Sequence, residues 1–119
     1  MKPDPMPAEY LEFFDRFNRG KFFEAHEVLE LLWRKERGEP RDFYHGLIQI
    51  AAVFVHIQKG TPDGGEKLLD TASKYLKKYR PAFMGLDLEN LLAETRSCLE
   101  SGRTALCLCL KDIRTRGSE

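Results

Sequence analysis

The sequence predicts an all-α fold, a single domain built as a small antiparallel bundle of about five to six helices. Apolar residues recur at helical spacing along most of the 119 residues. Glycine and proline stand where this spacing is interrupted, as expected for helix ends and first turns. The connections between the first four predicted helices are only a few residues long, which favours antiparallel neighbours.

Each of the first three predicted helices ends at a glycine, which adopts the left-handed backbone of a helix terminus without strain. Their ranges are 8–19, 21–37 and 40–59. The first helix places Leu11, Phe14 and Phe17 on one face, the pattern of an amphipathic helix against a core. The third opens at Pro40, because proline is tolerated in the first turn of a helix.

The last three predicted helices cover 61–79, 88–100 and 103–114. Thr61 and Pro62 indicate an N-cap followed by a first-turn proline, and Pro81 breaks this fourth helix. Asp87 can cap the fifth helix, because its carboxylate can accept from a free backbone N–H of the first turn. The sixth segment contains TALCLCLKDI, which also alternates like a strand. The tail 115–119 is predicted to be flexible.

Charge and cysteine content argue against several classes of protein. The chain carries 19 Lys and Arg against 19 Asp and Glu, with a pI of about 6.8. The sequence has no excess of basic residues, which argues against nucleic-acid binding. It also has no polybasic run, which argues against binding to a membrane surface. Cys98, Cys107 and Cys109 are odd in number and lack C-x-x-C spacing, so we interpret them as reduced apolar residues. No targeting segment is visible in MKPDPMPAEY, and a cytoplasmic location is expected.

Segment 42–59 carries a polar stripe on an otherwise apolar helix. It has no charged residue between its two ends, yet it contains His45, Gln49 and His56. At about 100° per residue, these three side chains fall within about 40° of one another. A helix that is apolar all round belongs in the middle of a domain. We therefore expect the stripe to be buried and to need hydrogen-bond partners.

The second helix offers partners for this stripe. Antiparallel pairing through the loop near residue 39 places Glu30 level with Gln49, and His26 about one turn from His56. We therefore expect these four side chains to meet between the second and third helices. The residues that complete this pocket or network are His45, nearer the loop and more exposed, and Glu24, which points elsewhere on the second helix, beside Leu31.

Two interpretations of the pocket stay open. In one, the imidazole, amide and carboxylate groups form a buried structural network that fixes the register of the helical hairpin. In the other, His26, Glu30 and His56 bind zinc, iron, nickel or manganese with an open position for water. Glu27 or Gln49 would then orient or deprotonate that water. This stretch of the second helix has the pattern H-E-x-x-E rather than the H-E-x-x-H of zinc peptidases, which argues against a peptidase.

Two long motifs resemble one known family. FNRGKFFEAHEVLELLWR at 17–34 and YHGLIQIAAVFVHIQKG at 44–60 resemble the bacterial and archaeal family catalogued as domain of unknown function 309. The family-like core spans about residues 8–80, and the C-terminal helices predicted at 86–114 lie beyond it. The resemblance implies a small all-helical domain, and members have been labelled predicted metal-dependent hydrolases. His45 departs from the family pattern, in which glutamine is more usual at that position.

Two functions stand as hypotheses. The first is a metal-dependent hydrolase-like protein with a divalent transition metal, using the ligands and the base named above. The alternative is a non-enzymatic helical interaction or scaffold protein in which the same residues are structural. The spacing Gly20-x-x-Phe23-x-Ala25 is similar to the packing signature of helical-hairpin repeats that bind peptides, but no second copy is present. An apolar face left open on the first or fifth helix would favour a homodimer.

Overall fold

The predicted all-α fold is confirmed. A computed structural model describes residues 6–104, which form five α-helices and one very short β-hairpin. The helices are α1 (Ala8–Asn18), α2 (Phe22–Lys35), α3 (Arg41–Lys59), α4 (Pro62–Leu76) and α5 (Leu88–Ser101). A 3-10 turn (Lys77–Tyr79), then the strands β1 (Ala82–Phe83) and β2 (Leu86–Asp87), connect α4 to α5.

Helix α3 is the centre of the bundle, as its apolar sequence predicts. It packs against α2 on one side and α4 on another, and it also contacts α5. Ring contacts join it to α1, because Phe54 on α3 lies 5.1 Å from Phe17 between ring centroids. Even so, within residues 6–104 no helix is both long enough and apolar enough to cross a membrane.

An aromatic cluster fills the space between α1, α2 and α3. Phe22 lies 4.8 Å from Phe17 and 5.0 Å from Phe54, measured between ring centroids. At the other end of α1, the fully buried Tyr10 donates a hydrogen bond of 2.9 Å to the Met84 carbonyl in the β-hairpin. Burial raises the pKa of the Tyr10 phenol, so this donor stays protonated and ties α1 to the hairpin.

The predicted ends of α3 and α5 are confirmed. Helix α2 instead ends at Lys35, because Glu36 is already extended, and Gly38 does not adopt left-handed backbone. Gly60 and Gly102 adopt left-handed backbone, with φ of 78° and 77°, directly after α3 and α5. Asp87 caps α5 as predicted, because its Oδ1 accepts from the Asn90 amide at 2.9 Å. Thr61 makes no capping hydrogen bond at the start of α4. Its hydroxyl instead lies 2.8 Å from Nδ1 of His56, so it is not available to accept from a backbone N–H in the first turn of α4.

The β-hairpin between α4 and α5 was not predicted. The two strands pair antiparallel with only two residues each, which is too short for any alternation of apolar and polar residues to show. Met84 and Gly85 form the turn, with φ of 48° and 78°. Gly85 is the expected residue for such a backbone, but methionine gives no turn signal in a sequence. The predicted fourth helix accordingly ends at Leu76 rather than at Tyr79.

Some predictions concern residues outside the described range. Residues 105–114 of the predicted sixth helix, the tail 115–119, and both Cys107 and Cys109 lie beyond residue 104. Cys98 lies within the range and is a free, buried thiol.

Candidate functional site

The first part of the polar stripe lies in a ring cluster formed by three helices. His45 on α3 lies between Trp33 of α2 and Tyr75 of α4, at centroid distances of 4.8 Å and 4.3 Å. The Arg41 guanidinium covers the Trp33 ring at 4.4 Å. Gln49 Nε2 donates to His45 Nε2 at 3.1 Å, which requires a neutral imidazole that accepts at that nitrogen. His45 is therefore central to this arrangement. Like Gln49 and His56 it is only half-buried, so the stripe is not fully buried as the sequence predicts.

Gly46 explains why α4 comes close enough to supply Tyr75. A Cβ atom at position 46 would lie 2.6 Å from Cγ of Leu76 and 3.3 Å from Cβ of Tyr75. Only a residue without a side chain allows the two helices to approach to this distance. The local sequence His45-Gly46 thus places the imidazole next to a close contact of α3 with α4.

The environment of His45 lowers its pKa below the ordinary value of 6.5, first through burial and then through the nearby Arg41 charge. Asp42 and Glu30 act in the opposite direction. The neutral form that accepts from Gln49 is thereby the one that the fold favours. Burial is only partial, so the effect on stability is moderated by solvent.

We expect the protein to lose stability as the pH falls below 6.5, where unfolded His45 takes up a proton that the folded form resists. The unfolded chain binds more protons in this window, so the free energy of unfolding falls until the lowered folded pKa is passed. Urea denaturation at pH values on both sides of 6.5 measures this slope. His45→Gln should flatten it, and an unchanged slope in that variant would assign the pH dependence to other groups.

His56 is used elsewhere than predicted. Its Nδ1 bonds to the Thr61 hydroxyl at 2.8 Å, in the turn between α3 and α4. Its ring also fills the space left by Gly64, where a Cβ atom would lie 2.6 Å from the imidazole Cε1. His56 is therefore a packing residue between the end of α3 and the first turn of α4.

The predicted residues of α2 lie on its flank and outer surface. The His26 ring is parallel to Phe23 at 6.1 Å, and its Nδ1 is buried without a hydrogen-bond partner among the described residues. Glu30 lies 3.7 Å from Arg34, its neighbour one turn later. The remaining two, Glu24 and Glu27, are exposed and form no ion pair with another residue of the range 6–104.

This arrangement does not fit the predicted metal centre. Among residues 6–104, no group of three or more His, Cys, Asp or Glu side chains lies close enough together to hold a metal ion. His26, Glu30 and His56 are therefore not gathered as a ligand set, and Glu27 has no such centre to serve. Gln49 was predicted to bond with residues of α2. Its side chain instead bonds to His45, one turn earlier on α3.

The outer face of α2 carries a surface that the sequence analysis missed. A hollow of about 480 Å³ lies there, next to α1. It is lined by Arg16, Glu24, Glu27, Val28, Glu30, Leu31 and Arg34. Two apolar side chains of this face are open to solvent, with Phe23 57% exposed and Leu31 58% exposed. The sequence could have indicated this surface, because both residues are apolar but lie outside the core-facing stripe of α2.

Comparison with known proteins places this fold and sequence among uncharacterised relatives. A crystal structure of a conserved hypothetical protein, TTHA0068 from Thermus thermophilus, is 35% identical with a TM-score of 0.69, covering 80% of this chain and 99% of that one. The uncharacterised protein YpuF of Bacillus subtilis (strain 168) is 28% identical over 102 residues, which are 82% of this chain and 59% of YpuF. An uncharacterised protein of Aquifex aeolicus (strain VF5) is 30% identical over 78 residues, 65% of this chain and 23% of that protein.

The chain thus spans less than two thirds of the length of either of these two sequence relatives. The family described as Domain of unknown function (DUF309) matches residues 10–68, from α1 into the first half of α4, which includes the outer α2 face but not Tyr75. The chain belongs to this family.

Proposed function

We propose that the protein is a non-enzymatic interaction module that binds a basic amphipathic helix of a partner protein on the outer face of α2. One observation carries the proposal. Phe23 and Leu31 are more than half exposed on the same helix face as two carboxylates, Glu24 and Glu27, that lack an ion pair among the described residues.

The spacing of these residues suits a helix laid against α2. Phe23, Glu27 and Leu31 follow one another at intervals of four residues, so they lie within about 80° around the helix axis. Apolar anchors of a bound helix recur at similar intervals, and the hollow beside Leu31 provides space for one of them. Acidic groups next to apolar anchors favour a partner with lysine or arginine beside its own apolar stripe.

Charge also decides between a foreign partner and a second copy of the chain. The two arginines of the hollow are already engaged, Arg16 with Glu12 and Arg34 with Glu30. The carboxylates of Glu24 and Glu27 remain uncompensated on this face. Two copies facing each other through it would bring like charges together, whereas a basic helix neutralises them. A second copy of the chain is therefore less favoured than a basic helix as the partner on this face.

A designed amphipathic helical peptide of leucine and lysine is expected to bind the protein, in a salt-sensitive way, by fluorescence anisotropy. The double variant Glu24→Lys, Glu27→Lys should bind about tenfold more weakly, because two exposed charge pairs become repulsive. The matched control is Glu94→Lys, Glu100→Lys, which makes the same change of charge on α5.

Equal weakening in both double variants would mean that only net charge matters, and the α2 site would be wrong. A second result would also overturn the proposal. If sedimentation shows a dimer that Phe23→Ser and Leu31→Ser each dissociate, this face is an interface between copies of the chain.

The metal-dependent hydrolase is the competing proposal, and the unpartnered Nδ1 of His26 is the observation in its favour. Because the predicted ligands are dispersed, we expect tag-free protein to carry no stoichiometric divalent metal, measured by plasma emission spectrometry. Stoichiometric zinc, iron, nickel or manganese that is lost in both His26→Ala and His56→Ala would favour the hydrolase instead. The cytoplasm remains the proposed location. The odd number of cysteines and the lack of C-x-x-C spacing support it, because they do not suggest a disulfide framework.

A further inference from the structure

A second hollow, of about 490 Å³, lies between the start of α3 and the end of α4, away from the outer face of α2. It is lined by Asp42, Lys74, Tyr75, Lys77 and Lys78. This volume lies within the range of about 300–1,000 Å³ that is usual for small-molecule sites.

The charge of this hollow is positive. Lys78 Nζ lies 3.1 Å from Asp42 Oδ2, so the carboxylate in the lining is already paired. The hydrogen bond to Asp42 raises the pKa of Lys78. Lys74 and Lys77 form no ion pair with any other residue of the range 6–104, and both are exposed. Two ammonium groups without a counter-charge thus border one concave surface, which favours an anion there.

Tyr75 adds an aromatic wall to the same hollow. Its ring is held against His45 at 4.3 Å, and Gly46 lets its backbone approach α3 closely. The side chain is therefore fixed in position before any ligand arrives, which lowers the entropy cost of stacking a planar group on it. A flat aromatic surface beside uncompensated ammonium groups suits a ligand that joins a planar ring to a phosphate.

We propose that this hollow binds a phosphorylated small molecule with a planar ring, of the nucleoside monophosphate class. The phosphate is held by Lys74 and Lys77, and the ring stacks on Tyr75. The balanced charge of the whole chain favours a small molecule over a nucleic acid, whose binding relies on many phosphate contacts over a basic surface. Nothing in the proposal depends on the outer face of α2, so the two sites can fail independently.

The test is calorimetric titration of the full chain with adenosine monophosphate, and separately with inorganic phosphate. We expect the nucleotide to bind more tightly than phosphate, and Lys74→Ala with Lys77→Ala to weaken it about tenfold. Lys67→Ala is the control, because this exposed lysine lies on the same helix but outside the hollow. Tyr75→Leu should weaken the nucleotide while leaving phosphate binding unchanged, with thermal melting used to confirm that the variant is folded.

Three outcomes would overturn the proposal. Absence of binding at millimolar nucleotide removes the site. Equal affinities for phosphate and for the nucleotide remove the stacking role of Tyr75. A single-stranded oligonucleotide that binds far more tightly than the mononucleotide, with the lysine pair still required, would make this surface part of a nucleic-acid interface.

Discussion

Replacing Phe54 by alanine is expected to lower the free energy of unfolding by about 3–5 kcal/mol, measured by urea denaturation. Phe54 is fully buried on α3, and its ring contacts both Phe17 of α1 and Phe22 of α2. Removal of the ring loses the apolar burial and leaves a cavity where three helices meet, which cannot collapse without moving a helix.

The same substitution on the surface is the control for Phe54. Phe23 is 57% exposed, so Phe23→Ala should change stability by no more than about 0.5 kcal/mol. It should nevertheless weaken the peptide binding proposed for the outer face of α2. A loss below about 1 kcal/mol in Phe54→Ala would contradict the packing of α1 and α2 around α3.

The sequence was sufficient for the main architecture because the helix ends carry chemical signals. Gly60 and Gly102 terminate their helices in left-handed backbone, and Asp87 caps α5. These are local effects that need no knowledge of the rest of the fold. The apolar residues around most of α3 likewise predicted its central place, because a helix that is apolar on most sides needs neighbours on those sides.

The candidate site was predicted less well because its partners come from a third element. The register argument paired α3 with α2 alone, but Tyr75 and Thr61, which contact His45 and His56, belong to α4 and to the turn before it. Two signals in the sequence point to this. Gly46 permits a close helix crossing beside His45, and Thr61 follows His56 by about one turn of chain.

The outer face of α2 was missed for a different reason. Helical periodicity assigns each residue to a core-facing or a solvent-facing side, and Phe23 and Leu31 fall on the solvent-facing side. Periodicity alone cannot distinguish two scattered apolar side chains from a binding surface. Their exposure beside unpaired carboxylates became visible only once the ion pairs of α1 and α2 were known.

Gly46→Val is expected to lower the free energy of unfolding by about 3 kcal/mol, because the new side chain overlaps Leu76. The clash involves both Cδ2 and Cγ of a fully buried leucine, each at 2.6 Å, so rotation of the terminal methyl group alone does not relieve it. Relief requires α4 to move away from α3, and this movement separates Tyr75 from His45. Gly46→Ala should lower the free energy of unfolding by less than Gly46→Val does. Alanine has the smaller side chain, and its helix propensity is about 1 kcal/mol better than that of glycine.

Gly65→Ala provides a matched comparison for Gly46, since both are buried helical glycines. A Cβ atom at position 65 meets the terminal Cδ1 of Leu99 at 2.9 Å, an atom that can rotate away. This variant should be near neutral, because the gain in helix propensity offsets the contact. Trp33 is the single tryptophan of the chain and lies in the ring cluster with His45, so its fluorescence should change in Gly46→Val and not in Gly65→Ala. Equal stability of the two alanine variants would contradict the tight contact of Gly46 with Leu76.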